Sequence, residues 1–306
     1  MAEGQTAQLR AAAPDAELVE AAADEAPRLI VDADGAYGFV TPELLRAARK
    51  LRWVQVGSAG VETYLSPELV ESEVVLTNAK GIYGTQLAEH TLAFIFAFAR
   101  NFHVLWRRQQ QEVWESRNAL APHELRGETL LVVGLGGTGY DTAWRAHALG
   151  MRVQAVTSTM RPFPDFIRKA GGKERLHEYL GEADYVALCC ALTPETRKLF
   201  GDREFEAMKP TAYLTNVTRG GVIDTEALVR ALERGAIAGA GLDVTDPEPL
   251  PPGHPLWRME NVILTPHTSG HSPHANGRMF ALLKENLRRF VSGEPLLNVV
   301  DKRRGF

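Results

Sequence analysis

TLLVVGLGGTGYDTAWRAHALGMRVQAV, residues 129–156, decides the fold. It reads as an apolar strand, a glycine turn, an amphipathic helix and a second strand. Gly134, Gly136 and Gly139 stand at the G-x-G-x-x-G spacing, with Gly137 and Thr138 between them. The first glycine allows the tight turn, the second lets backbone N–H groups approach a pyrophosphate, and the third lets the helix pack closely on the strand. The helix N-terminus would then face the phosphates with free donors and a partial positive charge. A glycine triad alone is weak evidence, because glycine turns are common. The strand before it and the helix after it make it a dinucleotide site.

The alternation continues on both sides. Downstream, candidate strands at 151–156, 184–189, 211–216, 237–242 and 261–265 join 129–134 in a six-stranded doubly wound sheet. Upstream, short apolar strands at 29–31, 53–56 and 74–77 surround a helix over 41–50, with Thr41 as N-cap and Pro42 at the first helical position. This smaller α/β unit opens on a helix or an incomplete sheet. From Gly84 to about Arg107 the pattern predicts one long helix, apolar on more than one face, as befits an interdomain or intersubunit position. Residues 272–292 form a final helix. Two successive α/β units suggest a duplicated architecture.

The 306 residues suffice for two cores, and a net charge of −4 gives no electrostatic reason to expect nucleic acid or an anionic membrane as partner. The two cysteines, Cys189 and Cys190, are adjacent and lie in an apolar run. They read as buried inert thiols suited to a reducing compartment. No apolar core of a signal peptide stands near the N-terminus, and the greasiest segment, 91–99, is far too short to span a bilayer. A cytoplasmic protein is expected. His267, His271 and His274 cluster in sequence, but no obvious fourth ligand stands at a structural-zinc spacing, so the expectation is no metal. His90 reads as a buried or interface histidine.

Three segments after the later strands choose a reaction: NVTRGGVIDTEAL (216–228), GLDVTDPEPLP (241–251) and NVILTPHTSG (261–270). With VQVGSAGVE (54–62), TNAKGIYGTQLAEHTLA (77–93) and ALTPETR (191–197), the chain resembles the D-isomer-specific 2-hydroxyacid dehydrogenase family, in order, over roughly residues 15–300. The resemblance implies an α/β protein of two Rossmann-like domains, one flavodoxin-like and one doubly wound and dinucleotide-binding, with a cleft between them. Residues 1–100 plus 272–306 would form the substrate domain and 101–271 the dinucleotide-binding domain. Closure would occur about crossings near 97–110 and 268–275. The implied activity is hydride transfer between a nicotinamide cofactor and a small 2-keto or D-2-hydroxy acid, in a homodimer. Glyoxylate or hydroxypyruvate reduction is one form of it.

The chemistry can also be argued from the residues. Ligands of open α/β sheets bind just outside the carboxyl ends of the strands, and Arg219, Glu248 and His267 all follow strands. A 2-keto acid needs a cation of fixed geometry for its carboxylate, which arginine's planar fork supplies. Its carbonyl oxygen needs a proton as hydride arrives, and histidine titrates in the useful range. A neighbouring carboxylate orients that histidine and favours the imidazolium. Taken singly, each could be a surface arginine, a solvated glutamate or a loop histidine; together, in family order, they read as catalytic. The resemblance adds Ser58, Ala59 and Gly60 as backbone donors to the substrate carboxylate, beside Arg219 and His267. It also implies that Asp243 holds the nicotinamide carboxamide, that Val217 and Thr218 lie beside the cofactor, and that residues 190–192 pass beneath the adenosine half.

One departure bears on the cofactor. The acidic residue expected about 20 positions beyond the first glycine is replaced by Thr157, followed by Ser158, Thr159 and Arg161. Hydroxyls and a cation suit a 2′-phosphate, so NADP is expected in preference to NAD. A rival of another class is a cofactor-sensing, corepressor-like binding protein on the same scaffold. The lack of long extra tails favours the enzyme.

Overall fold

A computed structural model describes residues 3–116, 118–159 and 162–306, which form two compact units. One comprises residues 1–83 and 272–306, the other residues 84–271.

The first unit opens on α1 (Glu3–Ala12) and α2 (Ala26–Leu29), then β1 (Gly35–Tyr37), α3 (Pro42–Ala47), β2 (Trp53–Gln55), α4 (Pro67–Glu71) and β3 (Val75–Thr77). Thr41 caps α3 as expected: its hydroxyl accepts from Leu44 N–H at 3.2 Å, and Pro42 follows. Ser66 and Pro67 repeat the device at α4. The expected strand at 29–31 is instead the end of α2 and a 3-10 turn; the strand forms six residues later. Short apolar runs do not distinguish helix from strand by periodicity. The three strands pair in parallel in the order β1-β2-β3.

The second unit holds α5 (Gly84–Ala99), α6 (Phe102–Gln110), β4 (Thr129–Val133), α7 (Gly137–Ala148), β5 (Arg152–Val156), β6 (Ile167–Gly171), α8 (Leu176–Glu182), β7 (Tyr185–Leu188), α9 (Asp202–Ala207), β8 (Tyr213–Asn216), α10 (Thr225–Glu233), β9 (Gly239–Leu242) and β10 (Val262–Leu264). All its strands are parallel, in the order β10-β9-β8-β7-β4-β5-β6. The chain winds outward from β4 through β6, returns to β7 on the other side, and so places its topological switch between β4 and β7. Parallel strands covered on both faces must be apolar on both. Leu131, Val133, Val186 and Leu188 meet α8, α9 and α10, while Leu130, Val132 and Ala187 meet α5 and α7.

Three expectations change here. The sheet has seven strands, not six; β6 went unread because Arg168 and Lys169 face solvent on an edge strand. The predicted helix from 84 to 107 is two helices, broken at Asn101, whose φ of 56° is left-handed. The division between units falls at residues 83/84 rather than 100/101, because α5 packs on α7, β8 and β9. Gly241 on β9 leaves room for the Phe94 ring, which a Cβ there would meet at 2.6 Å. The crossing expected near 97–110 therefore lies at 83/84, and the second stands at 271/272. The chain then returns to the first unit as α11 (Ala275–Ser292), whose Leu283 and Leu287 pack with Leu9 of α1 and with Ala13 just after it. Among the described residues no helix is long and apolar enough to cross a membrane.

Candidate active site

β8, β9 and β10 are neighbours, so the loops leaving their C-terminal ends emerge side by side, about 5 Å apart per strand. Arg219 follows β8, Asp243 and Glu248 follow β9, and His267 follows β10.

After β8, buried Asn216 forms an Asx turn: its side-chain oxygen accepts from Thr218 N–H and Thr218 Oγ1, both at 3.1 Å. Its amide nitrogen donates to the Arg219 carbonyl at 2.9 Å. Half-buried Arg219 donates from Nη1 to the Thr218 carbonyl at 2.8 Å. Gly220 allows this loop to touch the next, since a Cβ there would lie 1.9 Å from the Thr245 carbonyl. The Val217 side chain packs with Phe94 and Phe98, so only its backbone is left for a ligand.

The His267 Nδ1 lies 2.6 Å from Glu248 Oε1. Read as Nδ1–H donating to the carboxylate, this leaves Nε2 to face a reactant. His267 has φ 54°, a left-handed conformation that costs a non-glycine residue about 1–2 kcal/mol. The surrounding bonds hold it there. Its N–H donates to the Asp243 carbonyl at 2.8 Å and the Thr265 carbonyl at 3.1 Å. Asp243 is 1 % exposed. Its Oδ1 accepts from Thr268 N–H (2.9 Å) and Thr265 Oγ1 (2.5 Å), and its Oδ2 from Ser269 N–H (2.9 Å). Burial pushes this carboxyl up, but the donors outweigh it and hold the group below its ordinary value; the Ser269 hydroxyl adds to this from nearby without forming an aligned bond. A carboxylate offers about four acceptor directions, so about one remains for a carboxamide.

At the switch point, Gly134 has φ 97°, and a Cβ there would lie 2.6 Å from the backbone of Cys190. A Cβ on Gly139 would lie 1.9 Å from the Gly134 carbonyl. Gly136 differs: nothing stands within 4 Å of its Cβ position, and the α7 N-terminus opens onto that space with Gly137 and Thr138 in its first turn. These residues fit a pyrophosphate. At the end of β5, Thr157 is buried, its N–H bound to Gly171, while Ser158 and Thr159 are exposed. Arg161 lies outside the described residues. Burial raises the thiols of Cys189 and Cys190 to about 12 and about 11, which fits inert cysteines.

Ser58, Ala59 and Gly60 form a loop after β2 in the first unit. Ser58 Oγ donates to the Gly60 carbonyl at 2.7 Å, Asn78 Nδ2 donates to the Ala59 carbonyl at 2.7 Å, and Tyr83 donates its hydroxyl to the preceding Gly57 carbonyl at 2.7 Å. Among the described residues no three His, Cys, Asp or Glu side chains group as metal ligands.

The family described as "D-isomer specific 2-hydroxyacid dehydrogenase, NAD binding domain" matches residues 92–269. The chain belongs to the D-isomer-specific 2-hydroxyacid dehydrogenases. A glyoxylate reductase of Korarchaeum cryptofilum is 35% identical over 91% of this chain and 88% of its own length. A D-isomer specific 2-hydroxyacid dehydrogenase from Xanthobacter autotrophicus Py2, solved with NADPH and MES, superposes with a TM-score of 0.86 at 29% identity, over 100% of this chain and 96% of that one. An NADPH-dependent glyoxylate/hydroxypyruvate reductase from Sinorhizobium meliloti, solved with NADP and sulfate, gives 0.86 at 27%, over 100% and 97%. The dehydrogenase is thus an NAD(P)-dependent oxidoreductase of 2-hydroxy acids, and the corepressor-like alternative is not favoured.

Sequence reasoning missed four residues around the site: Asn216, Gln86, Thr265 and, as anything beyond a buried histidine, His90. The N-x-T pattern after a strand is a usable Asx-turn signal for Asn216. The other three act across distant chain segments.

Proposed function

We propose that this dehydrogenase reduces glyoxylate and hydroxypyruvate to the corresponding 2-hydroxy acids with NADPH. The observation that carries the chemistry is the 2.6 Å contact between His267 Nδ1 and Glu248, on a backbone held in place by Asp243. The Arg219 guanidinium binds the substrate carboxylate. His267 donates a proton from Nε2 to the carbonyl oxygen, and Glu248 holds the ring by accepting from Nδ1. The nicotinamide cofactor, when bound, supplies the hydride that reaches C2. In oxidation His267 Nε2 takes the hydroxyl proton instead.

Gly134, Gly136, Gly137, Thr138 and Gly139 would cradle the pyrophosphate. Val217, Thr218 and Asp243 would border the nicotinamide, the first through its backbone. Thr157 in place of an acidic residue, with exposed Ser158 and Thr159 beside it, supports NADPH over NADH. The names of the relatives support the substrates. Buried free thiols suit a cytoplasmic setting. Exposed aromatic side chains on the second unit, among them Trp106 (56%) and Trp144 (50%), support a homodimer.

The test is consumption of NADPH and of NADH with glyoxylate, hydroxypyruvate and bulkier 2-keto acids. The expected result is the highest kcat/KM for the two small acids with NADPH. No turnover of any 2-keto acid would end the proposal, and higher efficiency with NADH would end its cofactor part.

A further inference from the structure

The loop that carries His267 is held from outside as well as from within. One face of α5 presents Gln86 and His90, four residues apart and therefore stacked on the same side of the helix. Gln86 Nε2 donates to the Gly270 carbonyl at 3.1 Å. His90 Nε2 lies 2.9 Å from Thr265 Oγ1. The two contacts fall on either side of His267, two residues before it and three after it.

The direction of these bonds follows from counting protons. Thr265 Oγ1 has a single hydrogen, and its 2.5 Å contact with Asp243 Oδ1 claims it, because a carboxylate oxygen can only accept. The Thr265 oxygen therefore accepts from His90, which donates from Nε2. A continuous chain results: His90 Nε2–H to Thr265 Oγ1, Thr265 O–H to Asp243 Oδ1, and Asp243 in turn accepting from Thr268 and Ser269 N–H. His90 also meets the Phe94 ring edge-on at 4.8 Å, which limits its rotation. Burial lowers the His90 ring, with Asp243 opposing, so the neutral Nε2–H form suffices for the chain.

We infer that Gln86, His90 and Thr265 are positioning residues of the reaction: through α5 they set the place of the His267 imidazole without touching substrate or cofactor. This rests on His267 being the acid–base group. Placement matters because a reacting group displaced by about 1 Å can lose on the order of 100-fold in rate.

Thr265→Val removes the hydroxyl and keeps the shape; Thr265→Ser keeps the hydroxyl. Thr265→Val should lower kcat at least tenfold with NADPH affinity within twofold of the parent, and Thr265→Ser should restore kcat to within threefold. His90→Leu should lower kcat similarly, and the double variant His90→Leu/Thr265→Val should be no worse than the poorer single one, because both break one chain. A second readout needs no turnover: the Nδ1–H proton of His267, seen by NMR in the parent, should broaden or shift in Thr265→Val and return in Thr265→Ser. Parental kcat in Thr265→Val, equal losses in the Ser and Val variants, or loss of NADPH affinity matching the loss of kcat would each overturn the inference. If the parent itself turns over no 2-keto acid while the NMR pattern holds, the proposed function fails and the positioning chain stands.

Discussion

The two ends of the seven-stranded sheet treat their carboxylates in opposite ways. At the C-terminal end Asp243 is buried and accepts three hydrogen bonds, from Thr265 and from two backbone N–H groups. Burial alone would push it up, but the donors win and it stays ionised. At the N-terminal end Asp184 is likewise pushed up by burial, and it is held below its ordinary value by Lys209 Nζ and Thr129 N–H, each at 2.8 Å. Glu128 beside it has neither donor. Burial and the Asp184 carboxylate push it up to about 7. The difference teaches that burial does not decide the charge of a carboxylate; the supply of donors does. Where donors suffice, the carboxylate becomes an anchor that can hold a strained loop. Where they run short, it keeps its proton.

The largest effect should come from breaking the C-terminal end at its proposed acid–base group. His267→Ala should lower kcat by at least ~100-fold, the low end for a general acid–base residue. Cofactor binding, proposed for the glycine turn after β4, should survive. Steady-state kinetics together with NADPH titration by fluorescence check both halves. Near-normal turnover in the variant would remove His267 from the chemistry and leave the Asp243 anchor without a purpose.

Much of this end was legible beforehand, for physical reasons that are local. Buried parallel strands are apolar runs, so β4, β5, β7, β8, β9 and β10 could be read within a few residues of their ends. Glycines whose Cβ would strike backbone, such as Gly134 and Gly139, mark themselves by spacing. Arg219, Glu248 and His267 could be singled out as candidates because chemistry gathers where parallel strands end. What escaped depends on partners far along the chain. Nothing near Gln86 or His90 tells that they meet Gly270 and Thr265, 184 and 175 residues away. The break between α5 and α6 turns on one left-handed Asn101 within an otherwise helical stretch. β6 hides because an edge strand can carry Arg168 and Lys169 outward and lose its alternation. Pairing of Glu128 with Asp184 is likewise invisible, since the strands they introduce must first lie side by side.

A smaller effect should follow from adding a carboxylate to the C-terminal end at the close of β5. Thr157→Asp places one after β5, near exposed Ser158 and Thr159. It would repel a 2′-phosphate and accept from ribose hydroxyls. The ratio of kcat/KM for NADPH to that for NADH should fall about tenfold, equivalent to about 1.4 kcal/mol. An unchanged ratio would show that the residue at this position does not set the cofactor preference.

The smallest effect lies at the opposite end and bears on stability alone. The folded-state value of Glu128 is raised to about 7 from 4.5. The folded protein therefore binds this proton more tightly than the unfolded chain does. The contribution to stability is complete below about pH 4.5 and is lost as pH rises through about 7. Glu128→Gln keeps the hydrogen-bonding shape and removes the titration. The parent should lose thermal stability between pH 5 and pH 8 relative to the variant, so that the variant's Tm, compared with the parent's, gains ~2 °C on going from pH 5 to pH 8. That figure is small because solvent screens a partly exposed carboxyl. Activity should not change, since Glu128 stands at the end of the sheet away from His267. Parallel Tm–pH curves for parent and variant would mean that Glu128 ionises freely beside Asp184, and the contrast between the two ends would then reduce to the presence of Lys209.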